Sequence, residues 1–375
     1  MLRVLHCIYD DPRNPWVAGG GAVRVFEIYR RLAARLESVT VLTGNYPGAR
    51  DEELEGIRYR RVGGGGSYVW SRLSYAYAAS KELAKANYDV AIFDFSTYTP
   101  LRLPPRAPLG ITVHHLTEST AIERWGKILG RLVIGQELRR LHQASFFTAT
   151  STITYNRLRS LMGPDAEIRL IMAGVPDELF DLSRREADYL LYFGRLDWFQ
   201  KGLDTLLEAM AILVAERPEL RLRIGGRGKD ADRVVEAARS LGIRENVEMI
   251  GAVPEARRSE LFAGARVLMM PSRFEGFGMV AAEAMAAGVP VVAADAGSLP
   301  EVIDPPNGGV LFPVGNAREL AAAVARLLDD APARRRLSQS ARVSAQRFRW
   351  GVVAEQHLAF LESVLEGTRL STNTR

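Results

Sequence analysis

Four charged residues in the C-terminal half of the sequence have types and spacing that could do chemistry together: Arg195, Lys201, Glu275 and Glu283. The two glutamates are separated by seven residues, which include Gly276, Phe277, Gly278 and Met279. That stretch reads as strand, glycine-bearing turn, helix, from Met269-Met270 through to Ala284-Met285-Ala286. Glycines there let the backbone approach a ligand, and the helix that follows turns its unpaired N–H groups and positive dipole end toward it. Such a place seats an anion. Side chains on a helix lean toward its N-terminus, so Glu283 points back toward the same crevice while Glu275 approaches from the loop. Two carboxylates beside a diphosphate would repel it, so they suit the neutral hydroxyl groups of sugar rings. The cations come from Phe193-Gly194-Arg195-Leu196-Asp197-Trp198-Phe199-Gln200-Lys201-Gly202. Arginine forks two phosphate oxygens and lysine acts as a point charge, each such bond contributing about 1.5–3 kcal/mol. The same pair would stabilise a departing diphosphate.

The elements that must position these residues alternate. Strand-like runs at 2–8, 39–43, 89–93, 109–113 and 145–150 are interleaved with helix-like segments at 21–36, 69–86 and 122–143. The pattern restarts at Tyr189-Leu190-Leu191-Tyr192-Phe193, with a helix near 202–216, a strand at 220–224, a helix near 231–241 and strands at 247–250 and 266–270. Alternation of this kind means a parallel sheet with helices on both faces, and ligands bind outside the carboxyl ends of its strands. The sequence therefore predicts two doubly wound, Rossmann-like α/β domains facing across a cleft. Their spans are 1–176 and 177–350, with a last helix and tail over 351–375 that is frayed from Gly367 onward.

At 375 residues the chain is long enough for two cores, and its 47% hydrophobic and 25% charged residues are those of a water-soluble globular protein. One cysteine, Cys7, excludes an intrachain disulfide and favours a reducing compartment. No signal-peptide layout and no apolar run of membrane-spanning length occur, so the sequence reads as cytoplasmic. Residues 1–176 carry 23 Lys and Arg against 16 Asp and Glu, and the remainder 26 against 28. The basic first half either faces something anionic, such as a membrane surface, a lipid-linked phosphate or an acidic glycan, or is merely solvated.

With these residues in view, the sequence resembles glycosyltransferase family 4, retaining enzymes of GT-B architecture. Glu275 and Glu283 match its Glu-x7-Glu signature, and Gly194-Arg195-Leu196 with Lys201-Gly202 its Gly-Arg-Leu…Lys-Gly segment. Ala286-Ala287-Gly288-Val289-Pro290-Val291-Val292 matches what usually follows. The resemblance covers nearly the whole chain, weakly in the first half. It implies that Arg195 and Lys201 contact the donor diphosphate, Glu283 the ribose and Glu275 the transferred sugar, with the backbone of Gly276, Phe277, Gly278 and Met279 assisting. Gly19-Gly20-Gly21 is similar to the family's glycine loop, which adds Gly20 and Gly21 to the donor-binding set. His114, ending Ile111-Thr112-Val113, is similar to its active-site histidine and joins Glu275, Arg195 and Lys201 as a catalytic group. The first domain would bind the acceptor and the last helix cross back onto it.

The implied reaction moves a hexose from a UDP- or GDP-sugar to a hydroxyl of a glycan, a lipid-linked acceptor or a small-molecule precursor, with retention, no cofactor and no divalent metal. An epimerase or hydrolase on the same scaffold, or a non-catalytic sugar-nucleotide binder, is the alternative. Three departures stand out: His115 where relatives often have an acid, Met172-Ala173-Gly174-Val175 before the linker, and Arg227 in Gly225-Gly226-Arg227-Gly228.

Plainer readings compete at several places. A nicotinamide fingerprint at Gly19-Gly20-Gly21 is disfavoured, because Arg24 holds the third glycine position and no acid ends the strand Val39–Thr43. Adjacent His114 and His115 project to opposite sides of a strand and cannot share a metal. Asp230-Ala231-Asp232 reads as a helix cap, not a metal motif. The basic, amphipathic pattern over 122–143 suits either an anionic membrane surface or, as the favoured reading, the core of the first domain. Nucleic acid is not expected as a partner.

Overall fold

The computed structural model describes residues 1–16, 19–96, 108–114, 116 and 118–373, without the side chains of 118–125, 255–256 and 369–373. In chain order the first elements are β1 (Arg3–Cys7), α1 (Gly20–Leu32), β2 (Ser38–Gly44), β3 (Glu52–Leu54), β4 (Ile57–Val62) and α2 (Tyr68–Lys85). Then come β5 (Val90–Asp94), β6 (Leu109–Val113), α3 (Glu118–Leu141), β7 (Phe146–Ala149), α4 (Thr152–Met162) and β8 (Glu167–Leu170). A second series follows with β9 (Tyr189–Phe193), α5 (Leu203–Glu216), β10 (Arg221–Gly225), α6 (Ala231–Ser240), β11 (Val247–Gly251), α7 (Glu255–Gly264) and β12 (Leu268–Met270). It ends with α8 (Met279–Ala286), β13 (Val291–Ala294), α9 (Leu299–Ile303), β14 (Gly309–Phe312), α10 (Ala317–Asp329) and α11 (Ala331–Ser344), before α12 (Trp350–Asn373). The chain divides into unit 1, Met1–Ala173 with Trp350–Arg375, and unit 2, Gly174–Arg349.

Among the described residues, unit 1 has an eight-stranded sheet in the order β3-β4-β2-β1-β5-β6-β7-β8. It is parallel except at its edge, where β3 runs antiparallel to β4. Successive strand residues point to opposite faces, and the core is divided accordingly. Val4, Val41, Val90 and Ile92 pack with Val25 and Ile28 of α1 and Leu361 of α12, while Leu5, Cys7, Ala91 and Phe93 pack with Tyr75 and Leu83 of α2. Gly110 in β6 makes room for α12, since an added Cβ would lie 2.8 Å from the Phe360 ring. The tail expected to fray from Gly367 remains helical through Asn373. At Gly367 the helix lies on Phe146 so closely that a Cβ would be 2.2 Å from its ring.

Unit 2 has a parallel sheet in the order β11-β10-β9-β12-β13-β14. Leu190, Tyr192, Leu222, Ile224, Met269 and Val292 on one face pack against Leu206 and Met210 of α5 and Leu320 and Val324 of α10. Burying each such side chain stabilises by about 1.5–3 kcal/mol, which fixes the strand ends where the charged loops emerge.

Candidate active site

In unit 2 the candidate residues leave the carboxyl ends of β9 and β12, which are neighbours. The loop after β9 is tied to the loop after β10 by Gly194 N–H donating to the Gly225 carbonyl at 3.0 Å and Leu196 N–H to that of Arg227 at 2.9 Å. Only glycine allows this approach: a Cβ on Gly226 would stand 1.8 Å from the Gly194 oxygen, and one on Gly228 2.0 Å from that of Leu196. Asp230 precedes α6 but makes no capping bond there; its carboxylate instead accepts the Trp198 N–H at 2.8 Å. The cap expected of Asp230 is thus replaced by a clamp on the loop that carries Arg195 and Lys201.

Lys201 Nζ donates to Glu275 Oε2 at 2.6 Å, joining the two loops through a largely buried ion pair. Arg195 reaches neither glutamate; its guanidinium donates to Gln200 Oε1 at 3.2 Å. Glu275 lies just before α8, whose N-cap is Gly278 in the left-handed region at φ 95°, with no side-chain cap. The turn is fixed from outside by Ser298, whose hydroxyl donates to the Phe277 carbonyl at 2.7 Å and whose N–H donates to that of Glu275 at 3.2 Å. Gly276 meets nothing that a Cβ would strike. Glu283, buried in α8, accepts from Arg258 Nη1 of α7 at 3.0 Å, and that guanidinium lies over the Phe193 ring. Arg195, Lys201, Glu275, Gly276, Phe277, Gly278, Met279 and Glu283 therefore share one unit, with each glutamate next to a different cation.

In unit 1, Gly19 is the uncapped N-cap of α1, and Gly20 and Gly21 form its first turn. A Cβ on Gly21 would come within 3.7 Å of Asp94 and 3.8 Å of Asp10. His114 follows β6 and binds Asp94 Oδ2 through Nε2 at 2.8 Å, while His6 Nε2 binds the other oxygen at 3.0 Å. An ionised carboxylate only accepts, so both nitrogens donate, and Nδ1 of His114 is the nitrogen turned away from Asp94. Burial alone would raise the Asp94 pKa, but His114 and His6 outweigh it and hold the carboxyl far below its usual range. Behind it, Tyr29 Oη lies 2.9 Å from His6 Nδ1 and 3.2 Å from His357 Nε2. Arg24 is buried beside this group, its three guanidinium nitrogens without a hydrogen-bond partner among the described residues. His115 lies outside the described residues.

Sequence reasoning missed Asp94, Asp10 and Arg258. Asp94 had a signal, a carboxylate closing an apolar strand at the end where ligands bind. Arg258 had none, since its partner Glu283 lies on another helix. No group of metal-ligating side chains is found among the described residues.

The sequence matches the family described as Glycosyltransferase Family 4 over residues 18–179 and that described as Glycosyl transferases group 1 over residues 177–344. The chain belongs to glycosyltransferase family 4. This family 4 chain is 33% identical over 208 residues to a D-inositol 3-phosphate glycosyltransferase of Corynebacterium aurimucosum, covering 52% of the chain and 49% of the relative. It thus spans about half the length of that curated relative. Its fold is the GT-B fold of sucrose-phosphate synthase from Thermosynechococcus elongatus, with TM-score 0.79 and 23% identity over 98% of this chain and 100% of that one. The Anabaena protein HepE in complex with UDP-glucose has TM-score 0.71 and 18% identity, over 97% and 100% of the two chains.

Proposed function

We propose that the protein transfers a hexosyl group from a nucleoside diphosphate sugar to a hydroxyl acceptor with retention of anomeric configuration. The observation that carries this reading is the 2.6 Å contact of Lys201 with Glu275 just ahead of the uncapped N-terminus of α8. A phosphate arriving at that helix end offers Lys201 a second anion, and a sugar hydroxyl offers Glu275 a donor, so the pair is exchanged for two ligand contacts. Arg195, exposed and held among the described residues by a neutral amide, turns onto the diphosphate at little cost. Glu283, fixed by Arg258, accepts from the ribose. The C1–O bond to the diphosphate breaks as the C1–O bond to the acceptor forms, and the acceptor proton leaves with the departing phosphate. Lys201, Arg195 and the α8 N–H groups stabilise the charge that develops on the leaving group.

In this reading unit 1 carries the acceptor groups, with His114 presented by Asp94, and no divalent metal or other cofactor takes part. The acceptor is a hydroxyl of a glycan, a lipid-linked sugar or a small-molecule precursor. The likeness to HepE, which was solved with UDP-glucose, favours a uridine nucleotide for the first trial.

Specific ligands raise apparent stability, so the test is thermal stabilisation by UDP-, GDP-, ADP- and dTDP-sugars with and without a chelator. One nucleotide family should stabilise the wild type regardless of chelator and fail to stabilise Lys201→Ala. Glu283→Ala should lose turnover on the order of a hundredfold, as when a preorganised polar partner is removed. A wild type that responds to none of the four families would sink the donor assignment, and a product of inverted configuration would remove retention.

A further inference from the structure

Two helices of unit 1 carry apolar side chains on the side turned away from the core. In α2 the inner face, Tyr75, Ala79 and Leu83, packs on the sheet. Its outer face is also apolar, with Val69 65%, Trp70 58%, Leu73 57% and Tyr77 66% exposed. Residues four apart share a helix face, so Val69, Leu73 and Tyr77 form one stripe with Trp70 beside it. In α3 the chain kinks at Gly126, where φ is 76°, and beyond the kink Ile128 is 80%, Leu129 59% and Leu132 61% exposed. The core role favoured for the apolar side of this helix therefore fails for Leu129 and Leu132. Farther along α3, burial returns at Glu137 and Leu141.

The charges around both stripes have one sign. Lys127 and Arg131 flank the apolar residues of α3, and residues 127–136 contain no acid. Lys81 and Lys85 are exposed on α2, whose one acid, Glu82, is paired with Arg60 at 2.8 Å. Both helices pack on the same face of the sheet.

We propose that the outer faces of α2 and α3 are a docking surface for an anionic lipid bilayer. Trp and Tyr favour the boundary between headgroup and hydrocarbon, where an aromatic body and a polar tip are both satisfied. Lys and Arg on either side meet anionic headgroups. No helix among the described residues is long and apolar enough to cross a membrane, so the contact is with the surface. A second copy fits the same face poorly. A two-fold interface sets the same patch against itself, which would bring two sets of Lys81, Lys85, Lys127 and Arg131 into one interface with no acid to pair them.

The test is co-sedimentation of the full chain with vesicles of phosphatidylcholine and phosphatidylglycerol, against pure phosphatidylcholine, over a range of salt. The wild type should bind the anionic vesicles, release them as salt rises, and show a blue-shifted tryptophan emission that Trp70→Phe removes. Leu73→Ser with Tyr77→Ser, and separately Ile128→Ser with Leu132→Ser, should weaken binding roughly tenfold or more. Lys127→Glu with Arg131→Glu should abolish the preference for anionic lipid. These side chains are outside the core, so nucleotide-sugar stabilisation of each variant should equal that of the wild type, which separates this proposal from the donor site. Equal binding to both vesicle types, binding that survives both double serine substitutions, or a dimer that those substitutions dissociate would each overturn it.

Discussion

The two units hold their candidate groups in opposite ways. In unit 2 each glutamate sits by a cation from another element, Glu275 by Lys201 and Glu283 by Arg258. In unit 1 a single carboxylate, Asp94, takes both oxygens to imidazoles, with a buried guanidinium nearby that bonds to nothing among the described residues. One-to-one pairs can trade partners when a ligand brings its own charges. A saturated buried carboxylate cannot, because any exchange would strand two groups at once in a low-dielectric interior. On the proposed reading, unit 2 is arranged for a ligand that replaces protein contacts, and unit 1 for holding His114 in one orientation.

The largest effect that would break this contrast is expected at Asp94. Asp94→Ala removes the acceptor of His6 and His114 and a charge that partly balances Arg24, and taking one member from a buried ionic set costs about 3–5 kcal/mol. Hydrogen exchange should show the loss in β1, β5 and β6 of unit 1, with β9 and β12 of unit 2 protected as before. Equal loosening of both units, or of neither, would show that Asp94 does not organise unit 1.

A smaller effect is expected at Gly226, where unit 2 depends on backbone contact more than on charge. The residue has φ 130°, and a Cβ would press on the Gly194 carbonyl. Gly226→Ala must push back the loop that carries Arg195 and Lys201. Strain of this kind costs about 1–3 kcal/mol. Nucleotide-sugar stabilisation should fall in this variant while unit 1 keeps its exchange protection; unchanged stabilisation would mean that the Gly194–Gly202 loop is not part of the donor seat.

How far the sequence could be read follows the same division. Tyr189–Phe193 was legible because a strand buried on both faces is one apolar run with sharp ends. The strand Ile57–Val62, next to the edge, was not, since Ile57-Arg58-Tyr59-Arg60-Arg61 mixes buried apolar and charged positions and the strand is held in place by its pairing with β2 and β3. In the site, Glu275, Glu283, Arg195 and Lys201 stand in local patterns of glycine and charge that survive without coordinates. The partners Tyr29 and His357 have no such pattern: they are 328 residues apart and meet only because α12 packs on α1. Local spacing reveals what a loop can offer a ligand. It does not reveal what stands behind a histidine.

The smallest effect is a dependence on pH that should appear in one unit and not the other. All five histidines fall in the segments that make up unit 1, so unit 2 has no side chain whose ordinary pKa lies between those of the carboxylates and 7. Burial, with Arg24 and His6 close by, holds the His357 pKa well below its ordinary 6.5. Below 6.5 the unfolded chain therefore takes up a proton at this position that the folded chain refuses, so stability falls as pH falls, by at most about 1.4 kcal/mol per pH unit. Asp94 works in the other range: its depressed pKa contributes stability that is fully present above its ordinary 3.8 and erodes only below it. Between about pH 4.5 and 6.5, hydrogen exchange measured at matched intrinsic rates should show unit 1 losing protection as pH falls while unit 2 stays level. His357→Gln should flatten that slope. If the variant keeps the wild-type slope, or unit 2 shares it, His357 is not the group that makes unit 1 sensitive to acid.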